Sequence, residues 1–316
     1  MIAGLFLKPG ELKLPVDGEA LFGRRAPLYF EIGFGNGWFL EQLGAANPDI
    51  DVVGAETSVS SVHRAYRRLR RAGLPNVRMF LGDAVFMTRH VLSPGSVSRV
   101  YVNFPDPWPR RKHRSKRLLT SNYFQLLSSR LEPGGCLELT TDHEGYFSFA
   151  REEAKSSGVF TEAVAHPSEP HLGTRYAKKW LRQDKRIHHA VFSCTAHLDE
   201  PVLNIQRDAM QHALLAGNLD DVGVMPKSVF RVDDMCVVFM EHLTLPDGGG
   251  HVFAVHVEEA GLKQDILVEA LPRDHGVFVG IRRFGSPMAT PGVGEALRLV
   301  VEWLESRGLS VVDRWY

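Results

Sequence analysis

The sequence predicts an α/β fold in which a mostly parallel, doubly wound sheet of Rossmann-like type is followed by a smaller α+β domain. Three observations support this. Strand-length apolar runs alternate with helical stretches through the first two-thirds of the chain. A glycine-rich turn follows the first of these runs, where such folds carry a ligand. Beyond about residue 195, strand-like runs follow one another with only turns between them, which is typical of antiparallel hairpins.

In the first part, the predicted strands cover 28–32, 51–55, 77–81, 97–102 and 136–140. Helices are predicted over 38–43, 58–72 and 122–131, the last ended by the Pro-Gly-Gly of 133–135. In the second part, a helix is predicted over 202–216, a strand meander over 236–245, 251–257, 265–271 and 276–282, and a helix and strand over 292–306 and 309–312. We therefore place a first domain at 1–199 and a second, of open role, at 200–316.

The net charge of zero conceals an asymmetry between these two parts. Residues 1–199 hold 27 Lys and Arg against 20 Asp and Glu, whereas residues 200–316 hold 10 against 17. This predicts a polyanionic partner for the first part and disfavours one for the second. The chain shows no apolar run of membrane-spanning length and no signal-like leader, so we expect a cytoplasmic protein without a membrane partner.

The glycine-rich turn has the sequence E-I-G-F-G-N-G, and its glycines Gly33, Gly35 and Gly37 let a ligand approach the backbone. Its G-x-G-x-G spacing differs from the dinucleotide fingerprint G-x-G-x-x-G, which disfavours hydride chemistry. Acidic residues fall at the ends of successive predicted strands, and parallel strands bind ligands at that edge. These residues are Glu31, Glu56, Asp83 and Asp106. Such a pocket suits a cationic sulfonium with a ribose and an ammonium, with Glu56 at the ribose, Asp83 near adenine and Glu31 near the ammonium.

The segment N-F-P-D-P-W-P, residues 103–109, is stiffened by proline and leads into the basic run R-R-K-H-R-S-K-R of 110–117. It combines a carboxylate, Asp106, with an aromatic ring, Trp108, and with side chains suited to phosphate. These last are the predicted RNA contacts Arg111, Lys112, Arg114, Lys116 and Arg117.

From 28 to 193, these motifs together with G-A-E, G-D-A, T-D-H-E-G-Y and G-T-R-Y resemble the bacterial tRNA (guanine-N7-)-methyltransferase family, which modifies guanosine 46 of the variable loop. The resemblance implies an S-adenosylmethionine-dependent Rossmann-like methyltransferase acting on tRNA, with Asp106 as catalytic residue. It implies a cosubstrate site of Glu31, Gly33, Gly35, Gly37, Glu56, Asp83, Ala84 and Asp106. It further implies substrate contacts from Arg110, Asp142, Thr174, Arg175 and Tyr176. Ala177 stands where the family has a glutamate, so the role of that last segment is open.

Guanine N7 carries an in-plane lone pair, so methyl transfer to it needs alignment and water exclusion rather than a general base. A carboxylate, Asp106 or Asp142, could accept hydrogen bonds from guanine N1–H and N2, while Trp108 stacks near the base. The histidines and the three dispersed cysteines show no metal-ligand spacing, so no metal is predicted. The arginines of the helix at 58–72 are interpreted as a solvated face.

Two other functions stay open from the residues alone: a methyltransferase for a small molecule or protein, and a noncatalytic RNA-binding module with a vestigial glycine turn. For 200–316 the alternatives are a stabilising appendage, a packing or homodimerisation module, and a contact surface for another protein.

Overall fold

The computed structural model describes residues 4–8, 12–200, 211–233, 235–259, 261–285 and 287–316. The chain forms two compact units. The first comprises Met1–Lys8 with Leu14–Val202, and the second comprises Pro9–Lys13 with Leu203–Tyr316.

The first unit is built on a sheet of strand order β3-β2-β1-β4-β5-β7-β6. Its strands are β1 (Leu28–Ile32), β2 (Asp51–Glu56), β3 (Val77–Leu81), β4 (Val97–Asn103), β5 (Leu131–Thr141), β6 (Phe160–Val164) and β7 (His188–Cys194). Strands β1 to β5 pair in parallel, and β7 runs antiparallel to both β5 and β6. The predicted mostly parallel sheet is therefore confirmed, and the carboxyl ends of β1, β2 and β4 share one edge.

The helices of this unit are α1 (Gly18–Phe22), α2 (Trp38–Ala46), α3 (Val59–Ala72), α4 (Ala84–Phe86), α5 (Ser121–Ser128), α6 (Glu144–Ser157), α7 (Glu169–Leu172) and α8 (Arg175–Leu181). Helix α4 continues into a π-helical turn, Met87–Val91, and a 3₁₀ helix covers Arg111–Lys116. Helix α5 ends at Ser128, so the helix predicted to reach 131 is too long: Leu131 already pairs with Val97 in the sheet.

Helix α3 shows how the local sequence sets an element and the core beneath it. The Ser58 side chain accepts a hydrogen bond from the Ser61 N–H at its start, and Gly73 ends it in the left-handed region. Its apolar stripe of Val62, Ala65 and Leu69 is buried in a cluster with residues of α2, β2 and β3. A fully buried leucine of this kind contributes about 2 kcal/mol to stability.

The second unit is an antiparallel sheet of order β14-β8-β13-β12-β11-β10-β9 with one helix, α9 (Pro291–Glu305), packed on it within the described residues. Its strands are β8 (His212–Ala216), β9 (Ser228–Val232), β10 (Met235–Thr244), β11 (His251–Glu259), β12 (Leu262–Arg273), β13 (Gly276–Ile281) and β14 (Ser310–Trp315). The predicted α+β class and meander are confirmed. The helix predicted over 202–216 is wrong where it can be compared, because 212–216 form strand β8, and 202–210 lie outside the described residues.

In the described part of the chain, no helix combines the length and the apolar character that a membrane span requires.

Candidate active site

A cavity of about 790 Å³ opens at the edge where β1, β2 and β4 end. Predicted residues from well-separated parts of the sequence meet in its wall. Those that line it are Glu31, Gly33, Gly35, Glu56, Asp83, Ala84, Asp106, Trp108, Lys116, Arg117, Thr174, Arg175 and Tyr176. Gly37, Arg110, Arg111, Lys112, Arg114 and Asp142 are not among its lining residues.

Glu31 is the most deeply placed carboxylate of the cavity. It ends β1 and is only 2% exposed. Burial raises its pKa to about 8, although a hydrogen bond from the Asn103 amide acts in the opposite direction. Asn103 Nδ2 donates to Glu31 Oε1 at 3.3 Å, and among the described residues the buried Oε2 has no hydrogen-bond partner. An unpaired buried carboxylate oxygen facing a cavity is suited to a cationic ligand.

The glycine-rich turn has two open positions and one packed position. Gly33 and Gly35 have φ values of 74° and 56°, and a Cβ added at either would meet nothing within 4 Å, so both present bare backbone. At Gly37, with φ of 74°, an added Cβ would lie 2.8 Å from the Cβ of Ala65 on α3. Gly37 is therefore needed for close packing of the turn on α3, and its cofactor contact stays a prediction.

Glu56 and Asp83 fasten the loops that frame the cavity. The Gly35 N–H donates to Glu56 Oε2 and the Ser58 N–H to Oε1, both at 2.9 Å. Asp83 Oδ1 accepts from the N–H groups of Val85 and Phe86 at 2.8 and 3.1 Å, which caps α4. Glu56 keeps one further lone pair on each oxygen, and Asp83 keeps its Oδ2 for a ligand.

The loop after β4 is held in a strained conformation. Phe104 and Trp108 have φ values of 53° and 41°, a region costly for bulky side chains by about 1–3 kcal/mol each. Arg117 stabilises this loop: its Nε donates to the Pro107 carbonyl at 3.0 Å and its Nη2 to the Trp108 carbonyl at 3.4 Å. Such strain is typical of loops whose conformation serves a site.

Arg117 is 6% exposed, and its guanidinium lies 5.6 Å from the ring of Tyr146 and 4.7 Å from that of Phe149. The predicted RNA contact therefore does not fit Arg117, because its guanidinium is turned inward against the loop. Tyr146, which also lines the cavity, is a residue that sequence reasoning missed as a site residue.

The remaining cations of the segment lie at the surface. Arg110, Arg111, Lys112, Arg114 and Lys116 are exposed, and the ion pairs of the described residues include none of them. The Lys116 ammonium lies 4.8 Å from the centre of the Trp108 ring, and His113 meets the edge of the same ring. The segment presents a positively charged rim beside the Asp106 loop.

Of the other predicted substrate contacts, Thr174 and Tyr176 line the cavity and Asp142 does not. Thr174 caps α8 by accepting from the Ala177 N–H at 3.2 Å, and Tyr176, 53% exposed, stacks on Phe104 with ring centres 6.4 Å apart. Asp142 follows β5 and lies 3.5 Å from the Lys185 ammonium. Phe104 and Asn103 belong to the N-F-P-D-P-W motif, yet sequence reasoning assigned neither a contact.

A second hollow of about 680 Å³ carries positive charge and shares Asn36, Trp38 and Arg175 with the first. Its cations are Arg68, Arg175, Lys178, Lys179 and Arg182. Arg67, Arg70 and Arg71 are exposed, as the interpretation of a solvated face predicts, whereas Arg68 is paired with Glu41 at 2.6 Å and Arg64 lines the main cavity.

Comparison with known proteins gives consistent matches. A family described as "Putative methyltransferase" matches residues 25–190. A tRNA (guanine-N(7)-)-methyltransferase of Thermus thermophilus is 44% identical over 95% of this chain and 96% of its own length. Enzymes of the same name from Deinococcus radiodurans and Thermotoga maritima are 36% and 31% identical, covering 99% and 96% of this chain and 100% and 97% of their own.

The alignments with these three relatives extend through 200–316, which the sequence resemblance alone left uncovered. The alignment with an enzyme of the same name from Halorhodospira halophila is shorter: it is 34% identical and covers 56% of this chain and 79% of that enzyme. Among solved structures, the 16S rRNA methyltransferase KamB aligns with 56% of this chain and 92% of its own at a TM-score of 0.43 and 15% identity. The mostly parallel sheet and the cavity at its carboxyl edge agree with the methyltransferase names of the full-length relatives. The chain belongs to the bacterial tRNA (guanine-N7-)-methyltransferase family.

Proposed function

We propose that this protein transfers a methyl group from S-adenosylmethionine to N7 of guanosine 46 in tRNA. The observation that carries the proposal is the convergence of four carboxylates, Glu31, Glu56, Asp83 and Asp106, around one cavity beside an exposed basic segment. The names of the full-length relatives supply the base and the atom.

The residues of the cavity fit this donor. The unpaired Glu31 Oε2 is suited to its ammonium, and the open backbone at Gly33 and Gly35 leaves room for its amino acid part. Glu56 would accept from the ribose hydroxyls and Asp83 from the adenine amino group, with Ala84 alongside. S-adenosylmethionine supplies a methyl group made electrophilic by its positively charged sulfur. The enzyme's own contribution is to orient the donor and to keep water out.

Asp106 is proposed to read the guanine. Of the two candidate carboxylates, Asp106 lines the cavity, while Asp142 lies outside its wall and beside Lys185. Because N7 needs no deprotonation, Asp106 acts by accepting hydrogen bonds from N1–H and N2 rather than by removing a proton. The stacked rings of Phe104 and Tyr176 form an exposed aromatic surface on which the base can rest.

The tRNA backbone is proposed to follow the exposed cations Arg110, Arg111, Lys112, Arg114 and Lys116, with Thr174 and Arg175 at the cavity wall. These side chains present positive charge without competing carboxylates, which is the arrangement that binds phosphates. A cytoplasmic location is proposed with this function, because its substrate is tRNA.

We divide the chain functionally at 199: residues 1–199 form the methyltransferase domain, and 200–316 form an accessory domain that is a candidate for homodimerisation. Its edge strand β14 and the adjacent β8 expose Leu214, Val312 and Trp315, which supports a contact role. Sedimentation of the full chain measures this directly, and a monomer at micromolar concentration would exclude the dimer.

The function is tested by incubating the purified protein with labelled S-adenosylmethionine and an unmodified tRNA transcript, then mapping chain cleavage at 7-methylguanosine. Labelling is expected at guanosine 46 and is expected to vanish when that nucleotide is adenosine. Labelling of protein or of small metabolites in place of tRNA would instead favour another methyltransferase class. Failure to bind S-adenosylmethionine would favour the noncatalytic RNA-binding module.

Asp106→Asn tests the base-reading role, because the amide keeps the size of the side chain but loses the carboxylate. We expect the rate to fall by a factor of about 100 or more, as for loss of a key transition-state contact. Asp49→Asn, an exposed carboxylate outside the cavity, is the matched control. Equal rates in the two variants would exclude Asp106 from the reaction.

A further inference from the structure

Three buried side chains from distant parts of the first unit meet at one point. Glu138 lies on β5, His189 on the neighbouring strand β7, and His171 on α7. The Nε2 atoms of His171 and His189 lie 3.5 and 3.6 Å from Glu138 Oε2. The ligand atoms of all three residues lie within 4.8 Å of one another, and none of the three residues is more than 6% exposed.

These separations are long for direct contacts and suit a shared cation. A charge-assisted hydrogen bond between imidazole and carboxylate would measure about 2.7–2.9 Å. In a tetrahedral zinc site with bonds of about 2.0–2.1 Å, neighbouring ligand atoms lie about 3.3 Å apart. The 3.5 and 3.6 Å separations are therefore close to those that a central metal ion imposes. Two histidines with one carboxylate are the protein ligands of one known class of zinc site, in which a water molecule takes the fourth position.

The second nitrogen of each imidazole is already occupied. Ser168 Oγ lies 2.7 Å from Nδ1 of His171, and Thr140 Oγ1 lies 2.9 Å from Nδ1 of His189. When each Nδ1 carries the proton and donates to its hydroxyl, each Nε2 presents a lone pair toward Glu138. Outer partners of this kind orient metal-binding histidines in many proteins.

The surroundings of His171 also suit a metal ligand. Its Nε2 is buried and, among the described residues, has no hydrogen-bond partner, although the residue is only 3% exposed. The ring is held by Phe39 and Tyr101, with ring centres 4.9 and 5.8 Å away.

Arg99 does not block the cluster. It forms a salt bridge to Oε1 of Glu138, which leaves Oε2 to face both imidazoles. The carboxylate can thus bind a metal through one oxygen while the other stays paired with the guanidinium.

We propose that Glu138, His171 and His189 bind a zinc ion, with a water molecule as its fourth ligand, and that the ion stabilises the first unit. The ion would tie α7 to the sheet, and with it the segment that reaches the candidate active site, because the Thr174 hydroxyl donates to the His171 carbonyl at 2.9 Å. The site replaces the expectation of no metal. No short sequence spacing announces it, since its three ligands come from separate elements.

The test is metal analysis of untagged wild-type protein, as purified and after incubation with zinc followed by dialysis. About one equivalent of zinc per chain is expected, and a chelator is expected to lower the melting temperature in a way that zinc restores. Less than about a tenth of an equivalent in both preparations, with no melting shift, would overturn the proposal.

His189→Gln is expected to lose the metal, and the adjacent His188→Gln is the matched control. His188 stacks on Phe147, with ring centres 5.0 Å apart, and takes no part in the cluster. Retention of zinc by His189→Gln would refute the assignment.

If His189→Gln does not fold, cobalt substitution of the wild-type protein decides instead. Bands of four- or five-coordinate cobalt without a thiolate charge-transfer band support the site. A thiolate band would assign the metal to a cysteine such as Cys136 and refute the proposed ligands.

Discussion

Glu31 gives the most quantitative prediction, because its burial couples ligand binding to a proton. With a pKa of about 8, most of this carboxyl is protonated at pH 7 in the free protein. An ammonium or sulfonium ligand requires the ionised form, so its pKa should fall on binding toward the ordinary value of 4.5 or below. Binding of S-adenosylmethionine at pH 7 is then expected to release about 0.9 protons. A change from 8 to 4.5 corresponds to about 5 kcal/mol of coupling.

The same linkage sets the pH dependence of affinity. The ionised fraction of Glu31 rises roughly 75-fold between pH 5.5 and 7.5, and the dissociation constant should fall by that factor. Titration calorimetry in buffers of different ionisation enthalpy measures both the affinity and the proton release. In Glu31→Gln the pH dependence is expected to disappear and the affinity at pH 7.5 to fall. The exposed Glu152→Gln should behave as wild type.

Unfolding of the ligand-free protein gives a second measurement. Because the folded pKa of Glu31 lies above the unfolded value of 4.5, its contribution to stability is complete below pH 4.5 and is lost as pH rises toward 8. Glu31→Gln should therefore stabilise the free protein at pH 7.5, by up to about 4 kcal/mol, while weakening binding. Proton release below about 0.2 at pH 7, or a wild-type pH profile in Glu31→Gln, would refute this reasoning.

Three further predictions concern the loops and the second unit. Arg117→Lys should lower the free energy of unfolding by about 2–4 kcal/mol in urea and reduce turnover on tRNA, because two hydrogen bonds to the strained loop are lost. Gly37→Ala should cost about 2–4 kcal/mol by thermal unfolding, since both its φ and the 2.8 Å contact oppose a methyl group. In the second unit, burial and the neighbouring imidazole lower the pKa of His242 to about 4, and the Met225 N–H donates to its Nδ1 at 2.8 Å. The contribution of neutral His242 to stability is therefore present above pH 6.5 and is lost as pH falls toward 4. Hydrogen–deuterium exchange of the Met225 amide should accelerate over that range by more than the intrinsic pH dependence of exchange predicts.

Each of these has a matched control. Arg114→Lys, on the exposed side of the same segment, should leave the free energy of unfolding unchanged. An equal loss of stability in Arg114→Lys and Arg117→Lys would contradict the stabilisation of the loop by Arg117. Gly73→Ala has a similar φ of 64° and open space around the added methyl, so it should cost only about 1 kcal/mol; equal costs at Gly37 and Gly73 would remove the packing argument. His242→Gln should flatten the pH response, and an unchanged response would assign it to another group.

The sequence by itself determined the five parallel strands of the first unit and the location of its cavity, but not the antiparallel strands β6 and β7. Strand β1 follows the predicted bounds, and Glu31, Glu56 and Asp83 end up at one edge. The physical reason is that apolar periodicity is a local property, and parallel pairing then brings the carboxyl ends of the strands together whatever the loops do.

Tertiary structure decided which chemically similar residues share a role. Arg114 and Arg117 are three residues apart in one basic run, yet Arg114 faces solvent while Arg117 is buried against the loop. Gly37 has the same φ of 74° as Gly33, but only Gly37 is packed against a helix. Exposure and packing depend on what the rest of the chain places nearby, so local sequence does not contain them.

The same reason explains the strand at 212–216 and the cluster of Glu138, His171 and His189. A segment with helical periodicity becomes a strand when pairing with β13 and β14 outweighs its local preference. The three cluster residues lie on separate elements, and only the pairing of β5 with β7 and the docking of α7 bring their ligand atoms together. Composition and spacing set the parallel sheet and the edge that carries the candidate site; long-range packing set the position of Arg117, the tight turn at Gly37 and the geometry of the Glu138 cluster.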